Sequence, residues 1–145
     1  MNMKEFSDYI IDVANRNSIA ISNLQLQKVM FFGLRYALQN KIYDENFVNQ
    51  LYDEKFLVWR YGPVIESIYD KYQIYGAEPL IEAPDVNQLF VDAQLENKLC
   101  ELLREKPFDL VNKSHQDEYW QRNQKYISGW RSDVEYSIRS VRTGE

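Results

Sequence analysis

The stretch Ile21-Ser22-Asn23-Leu24-Gln25-Leu26-Gln27-Lys28-Val29-Met30-Phe31-Phe32-Gly33-Leu34-Arg35-Tyr36-Ala37-Leu38-Gln39 decides the fold. Ser22 stands three residues before Gln25, a capping-box spacing that satisfies free backbone N–H groups from both directions, so a helix is predicted to begin at Asn23 or Leu24. Leu26, Met30, Gly33 and Ala37 fall on one helical stripe, and Leu24, Phe31, Leu34 and Leu38 fall on a second. Apolar groups then surround most of the cylinder, which is the pattern of a buried helix. Gln25, Gln27, Lys28 and Arg35 are its polar residues, each expected to reach a narrow window of water. Gly33 gives up about 1 kcal/mol of helix propensity relative to Ala, which reads equally as close approach by another element or as simple tolerance.

Working outward, Phe6, Tyr9, Ile10 and Val13 recur at helical spacing, with acids near the start and Arg16 near the end, so a first helix is predicted over residues 3–16. Phe47, Val48 and Leu51 suggest a short helix over residues 45–52. Phe56-Leu57-Val58-Trp59-Arg60-Tyr61 is rich in strand formers, and residues 79–83 offer a partner for a small antiparallel pair. Between them Gly62 precedes Pro63, a favoured first helical residue, and Gly76 is a natural stop; the enclosed helix carries Ile65, Ile68, Tyr69 and Tyr72. Asp85 is expected to cap a helix through Glu105 with a stripe of Leu89, Leu95, Leu99, Leu102 and Leu103, ended by Pro107. Residues 108–112 add a turn. Ser114 is a candidate cap for a short helix to Trp120, residues 123–129 read as a break, and Ser132 is expected to cap a last helix carrying Val134, Tyr136 and Ile138, with a fraying end at residues 143–145. The sum is a mainly α fold: one domain over residues 1–145, about six helices around a buried central helix, with a small two-stranded antiparallel element.

Composition narrows the function classes. Hydrophobic residues make up 45% and charged residues 27%, as in ordinary globular chains, while 14% are aromatic and Tyr alone contributes 11 residues, which suits contact surfaces as well as cores. Net charge is -5 and no Lys/Arg run forms a phosphate-binding stripe, so nucleic-acid binding is disfavoured. Residues 119–145 carry 5 Lys/Arg against 3 Asp/Glu, spaced as a solvated helix face would be. One cysteine excludes an internal disulfide, Lys4, Glu5 and Asp8 interrupt any apolar leader, and no apolar run approaches the roughly 20 residues of a membrane span. A soluble, cytoplasmic protein is expected.

Catalytic chemistry finds little support. A nucleophile needs a base within hydrogen-bond reach, and the chain has only His115 and only Cys100, the latter on the apolar side of its helix where an inert thiol is expected. His115, Asp117 and Glu118 lie too close in sequence to converge on a metal, and the glycines are scattered singly, so neither a metal nor a cofactor is expected. Costly aromatic residues near turns remain. Trp59 and Trp120 read first as core aromatics; the functional reading makes Trp59, Arg60, Tyr61, Tyr69, Tyr72, His115 and Trp120 partner-binding residues.

The same residues carry a family resemblance. Leu24-Gln25-Leu26-Gln27-Lys28 followed by Val29-Met30-Phe31-Phe32, then Trp59-Arg60-Tyr61-Gly62-Pro63-Val64 with Tyr69 and Tyr75-Gly76, then Ser114-His115 with Trp120, occur in the order seen in the Panacea domain. Over most of its length the chain resembles this family of SocA-like antitoxins, often encoded on prophages. It departs from the family in a longer link over residues 43–55, and in Tyr119 where a proline usually precedes the downstream Trp. The resemblance implies a mostly helical cytoplasmic module that neutralises a cognate protein toxin by direct binding, with a protease or chaperone as a further partner where a relative acts as an adaptor. It places toxin specificity on variable surface, here residues 43–55 or the C-terminal helix. The alternatives are a prophage or mobile-element accessory protein of the same fold, a small enzyme with a site near Lys28, Tyr61 and His115, and a transcriptional regulator, for which no basic recognition helix is present.

Overall fold

Helix α2 spans Asn23–Gln39 and most of the other elements pack against it. Ser22 caps it, its hydroxyl accepting a hydrogen bond from the Gln25 N–H at 3.2 Å. A computed structural model describes residues 1–145, with α1 over Met3–Arg16, α3 over Glu45–Leu51, α4 over Glu66–Tyr72, α5 over Ala93–Arg104, α6 over Pro107–His115, α7 over Glu118–Asn123 and α8 over Ile138–Thr143. The fold is mainly helical, as the sequence predicts, with eight helices rather than about six. Strands β1 (Leu57–Trp59) and β2 (Gly62–Val64) form one antiparallel hairpin. No helix is long and apolar enough to cross a membrane.

Helices α1, α5, α6 and α8 pack around α2, burying the stripe of Leu26, Met30, Gly33 and Ala37 and, of the second stripe, Phe31 and Leu34, while Leu24 and Leu38 stay partly exposed at its two ends. Of the two readings of Gly33, close approach holds, and it comes from α5: a Cβ there would sit 2.8 Å from Leu99 Cδ2. Phe31 meets Phe56 and Tyr136 edge-on at ring-centroid distances of 5.2 and 5.1 Å. Phe90 fills a second aromatic nest with Phe6 and Phe47, at 5.8 and 5.5 Å. Each such ring removed from water contributes about 1.5–3 kcal/mol before the entropy of ordering it is subtracted.

Four local readings are corrected. The strand partner of residues 57–59 is residues 62–64, not 79–83; Leu80 instead turns inward, its N–H bonded to the Ile21 carbonyl at 2.8 Å. Pro63 is in β2 rather than at a helix start. It faces Val58, whose N–H points away from β2 to the Val134 carbonyl at 2.9 Å, so the missing proline N–H removes no bond from the hairpin. Asp85 caps nothing; residues 85–92 are irregular apart from a short 3-10 turn at Gln88–Phe90, and Asp92 caps α5 through the Leu95 N–H. Phe90 rather than Leu89 is buried, which breaks the expected stripe.

The C-terminal reading changes most. Ser114 lies inside α6, and Ser132 begins an extended segment that runs beside β1, with Tyr136 N–H bonded to the Phe56 carbonyl at 2.8 Å and a bridge between Leu57 and Glu135. Val134, Tyr136 and Ile138 are spaced by two, the period of an extended chain. Ser137, not Ser132, caps the last helix, whose end is held rather than frayed: the Tyr119 N–H donates to the Gly144 carbonyl at 2.8 Å.

Candidate aromatic cleft beside the hairpin

The buried polar residues of α2 determine where the hairpin and α4 sit. Rather than reaching windows of water, Gln25, Gln27 and Lys28 are buried, and each meets a backbone group from another element. Gln27 Oε1 accepts from the Ile65 N–H at 2.8 Å, Lys28 Nζ donates to the Pro63 carbonyl at 2.7 Å, and Asn23 Nδ2 donates to the Tyr69 carbonyl at 3.1 Å. Gln25 Nε2 reaches the Leu103 and Glu105 carbonyls at 2.5 and 3.2 Å at the end of α5. Unpaired buried amides and carbonyls are costly, so these side chains fix irregular backbone that no sheet or helix would satisfy.

Lys28 is the extreme case. It is fully buried with no carboxylate in ion-pairing range, and desolvation lowers its pKa from the ordinary 10.5 to about 7. Gly62 covers it at φ +97°; a Cβ there would lie 3.2 Å from both Lys28 Cε and Nζ, and 2.5 Å from Ser114 Oγ.

A second layer of bonds locks the aromatic residues. Trp120 is buried and its indole N–H donates to the Trp59 carbonyl at 2.9 Å, while the Trp59 indole N–H donates to the Ser132 carbonyl at 3.2 Å. His115 stacks on Trp120 with ring centroids 3.9 Å apart, and its Nε2 lies 2.8 Å from the Arg60 carbonyl. A carbonyl only accepts, so Nε2 carries the hydrogen. Burial pushes the His115 pKa below 6.5 against the opposing effect of this bond, leaving the ring neutral near pH 7. Tyr72 is also buried, one turn beyond Tyr69 on α4 and beside Tyr75.

Three of the sequence-selected residues come together at the surface. Trp59, Tyr61 and Tyr69 line a mostly apolar cleft of about 120 Å³ with Leu24, Gln27, Val64 and Trp130. Trp59 and Tyr69 form its edge-to-face wall at 5.2 Å. Tyr61 and Trp130 stand half out in solvent, 50% and 54% exposed, and Phe108, 58% exposed, extends the patch by meeting Tyr61 edge-on at 6.1 Å. The Arg131 guanidinium lies 4.5 Å from the Trp59 ring centroid, at the polar rim. Arg60 is exposed beside the cleft, whereas His115, Trp120 and Tyr72 support the scaffold and do not line it.

Trp130 and Phe108 were not among the sequence-selected residues. Trp130 reaches the cleft because its carbonyl accepts from the Arg60 N–H at 2.9 Å, within a tight turn closed by the Ser128–Arg131 bridge. Gly129 at φ +68° in that turn is the local signal for it.

Lys28, Tyr61 and His115 each pack on different partners, although Lys28 lies near enough to His115 for its charge to add to the burial that lowers the His115 pKa. Lys28 is enclosed beneath Gly62 and Pro63, Tyr61 points to Phe108, and His115 lies against Trp120. Asp117 is committed to Arg35, with the Oδ2 to Nη2 distance at 2.6 Å, rather than turned toward His115. The chain matches no family model, no curated protein and no solved structure.

Proposed function

We propose that this chain is a protein-binding module of the antitoxin class that occludes a surface of a cognate toxin in the cytoplasm, without covalent chemistry. The observation that carries the reading is the aromatic cleft of Trp59, Tyr61, Tyr69 and Trp130, with two of its four rings half exposed on a scaffold tied down by buried hydrogen bonds. Rigid, partly exposed Trp and Tyr residues beside a polar rim are the composition of binding hot spots, because they bury a large area with few torsions to freeze. The resemblance of Trp59-Arg60-Tyr61-Gly62-Pro63 to the Panacea motif supports the same assignment.

The partner is proposed to present a basic segment. Aromatic faces attract guanidinium and ammonium groups, the half-exposed rings of Tyr61 and Trp130 are not covered by a cation of the chain, and a net charge of -5 favours encounter with a basic protein. The groove of about 840 Å³ between the end of α2, α3 and α8, lined by Leu38, Tyr43, Val48, Ile138 and Arg142 among others, joins residues 43–55 to the C-terminal helix and is a second contact area for specificity.

The test is capture of partners with tagged wild-type chain and with a Tyr61→Ala/Trp130→Ala double variant. Both side chains are half exposed, so the variant is expected to fold with an unchanged circular dichroism spectrum. Wild type is expected to retain one small protein, toxic when expressed alone, in near-equal amount. The variant is expected to bind it at least about tenfold more weakly, the loss of one hot-spot interaction. Undiminished binding by the folded variant would remove the cleft from the interface, and repeated recovery of no such partner would remove the antitoxin reading.

A further inference from the structure

On the face formed by α2, α5 and α6, an open pocket of about 200 Å³ gathers three cations in a protein of net charge -5. Phe32 and Tyr36 stand one turn apart on α2; Phe32 is buried and forms the floor of the pocket, and Tyr36, half-buried, presents its ring at the opening. Lys113 from α6 places its ammonium 5.4 Å from the Phe32 centroid, and Lys98 from α5 places its ammonium 5.7 Å from the Tyr36 centroid. Because those rings are adjacent on one helix face, the two lysines flank the same opening. Arg35 lines it as well, 5.4 Å from the Phe32 ring.

The charges differ in how far they are already neutralised. Arg35 is committed to Asp117 at 2.6 Å and to the Val141 carbonyl at 2.6 Å, so it is a fixed wall. Lys98 and Lys113 each have one carboxylate neighbour, Glu101 and Glu105, and both stand at 4.0 Å, outside hydrogen-bond distance. Neither carboxylate lines the pocket. Two ammonium groups with unspent donors therefore flank aromatic surface that is partly shielded from water, where an anion is held more strongly than in bulk solvent.

We propose that this pocket binds a small phosphate monoester with an apolar or aromatic body, the phosphate bridging Lys98 and Lys113 and the body resting against the Tyr36 ring over the edge of Phe32. Phosphate fits better than a single carboxylate because its dianion can engage both ammonium groups at once. The site lies on different elements from the aromatic cleft and does not depend on the function proposed for it.

The probes are phenyl phosphate, inorganic phosphate and phenol, titrated into the full chain by calorimetry at constant ionic strength. Phenyl phosphate is expected to bind at least tenfold more tightly than either of the others, the first comparison reporting the rings and the second the charge. A Lys98→Gln/Lys113→Gln variant with unchanged thermal midpoint is expected to lose at least tenfold in affinity. Lys125→Gln, which removes a lysine lying over the Tyr126 ring elsewhere, is expected to change nothing. Equal binding of phenyl phosphate by wild type and the folded double variant would overturn the site. So would binding of phenyl phosphate no tighter than that of phenol, and binding of inorganic phosphate equal to phenyl phosphate would overturn the role of the rings.

Discussion

Gly62→Ala is expected to lower the unfolding free energy by about 3–5 kcal/mol, the sum of a backbone and a packing contribution of a few kcal/mol each. The backbone part arises because φ +97° is a conformation that side chains with a Cβ rarely adopt. The packing part arises because the new methyl would meet Ser114 Oγ at 2.5 Å and Lys28 at 3.2 Å. Ser114 cannot simply turn away, since its hydroxyl donates to the Val111 carbonyl at 2.7 Å, and Lys28 is anchored on Pro63. Denaturant titration measures the change. A loss under about 1 kcal/mol, the range of an ordinary surface substitution, would mean that the hairpin is free to shift over α2.

Lys28 is expected to give the chain a stability that rises with pH. Its folded pKa, about 7, lies below the unfolded value of 10.5, so between these values the unfolded state binds more protons. The contribution of the neutral amine is therefore fully present above pH 10.5 and is lost as pH falls toward 7. Between pH 7.5 and 9 the unfolding free energy should climb by about 2 kcal/mol, given 1.36 kcal/mol per pH unit for one proton. The other shifted groups act mainly outside this window. His115, lowered from 6.5, acts below it, and Tyr9, Tyr43, Tyr52, Tyr72, Tyr119 and Tyr136, all raised by desolvation, make stability fall only as pH nears the ordinary tyrosine value of 10. Lys28→Met keeps most of the side-chain volume and removes the titrating group. Its stability should be nearly flat over the window, and a slope equal to that of wild type would show that Lys28 is not the group responsible.

The two effects share one origin, which is that a helix near the centre of the core carries polar groups for other elements. That arrangement could be read only in part from sequence. The cap at Ser22, the extent of α1 and the burial of α2 follow from patterns confined to a few turns, and those patterns were legible. The buried roles of Gln25, Gln27 and Lys28 were not, because their partners are backbone groups at residues 63, 65 and 103–105, which carry no distinctive side-chain signal.

Proline at position 63 shows how a sound local rule is overridden. Its fixed φ suits a helix start, but Gly62 turns the chain into a hairpin whose register places the proline where no N–H is required. Residues 132–138 failed for another reason: their apolar residues alternate, and the extended chain gains bonds to Phe56 and Val58 that a helix would forgo. Trp59, Tyr61 and Tyr69 were recognisable as costly residues near turns. That they converge with Trp130 was not, because the contact depends on that extended C-terminal segment lying along β1.

Hydrogen–deuterium exchange of the chain alone and with its captured toxin tests the central proposal, docking at the aromatic cleft, most directly. The account predicts added protection concentrated in residues 57–64, 66–72 and 128–131. Protection confined to other segments, with those three unchanged in a stoichiometric complex, would contradict it.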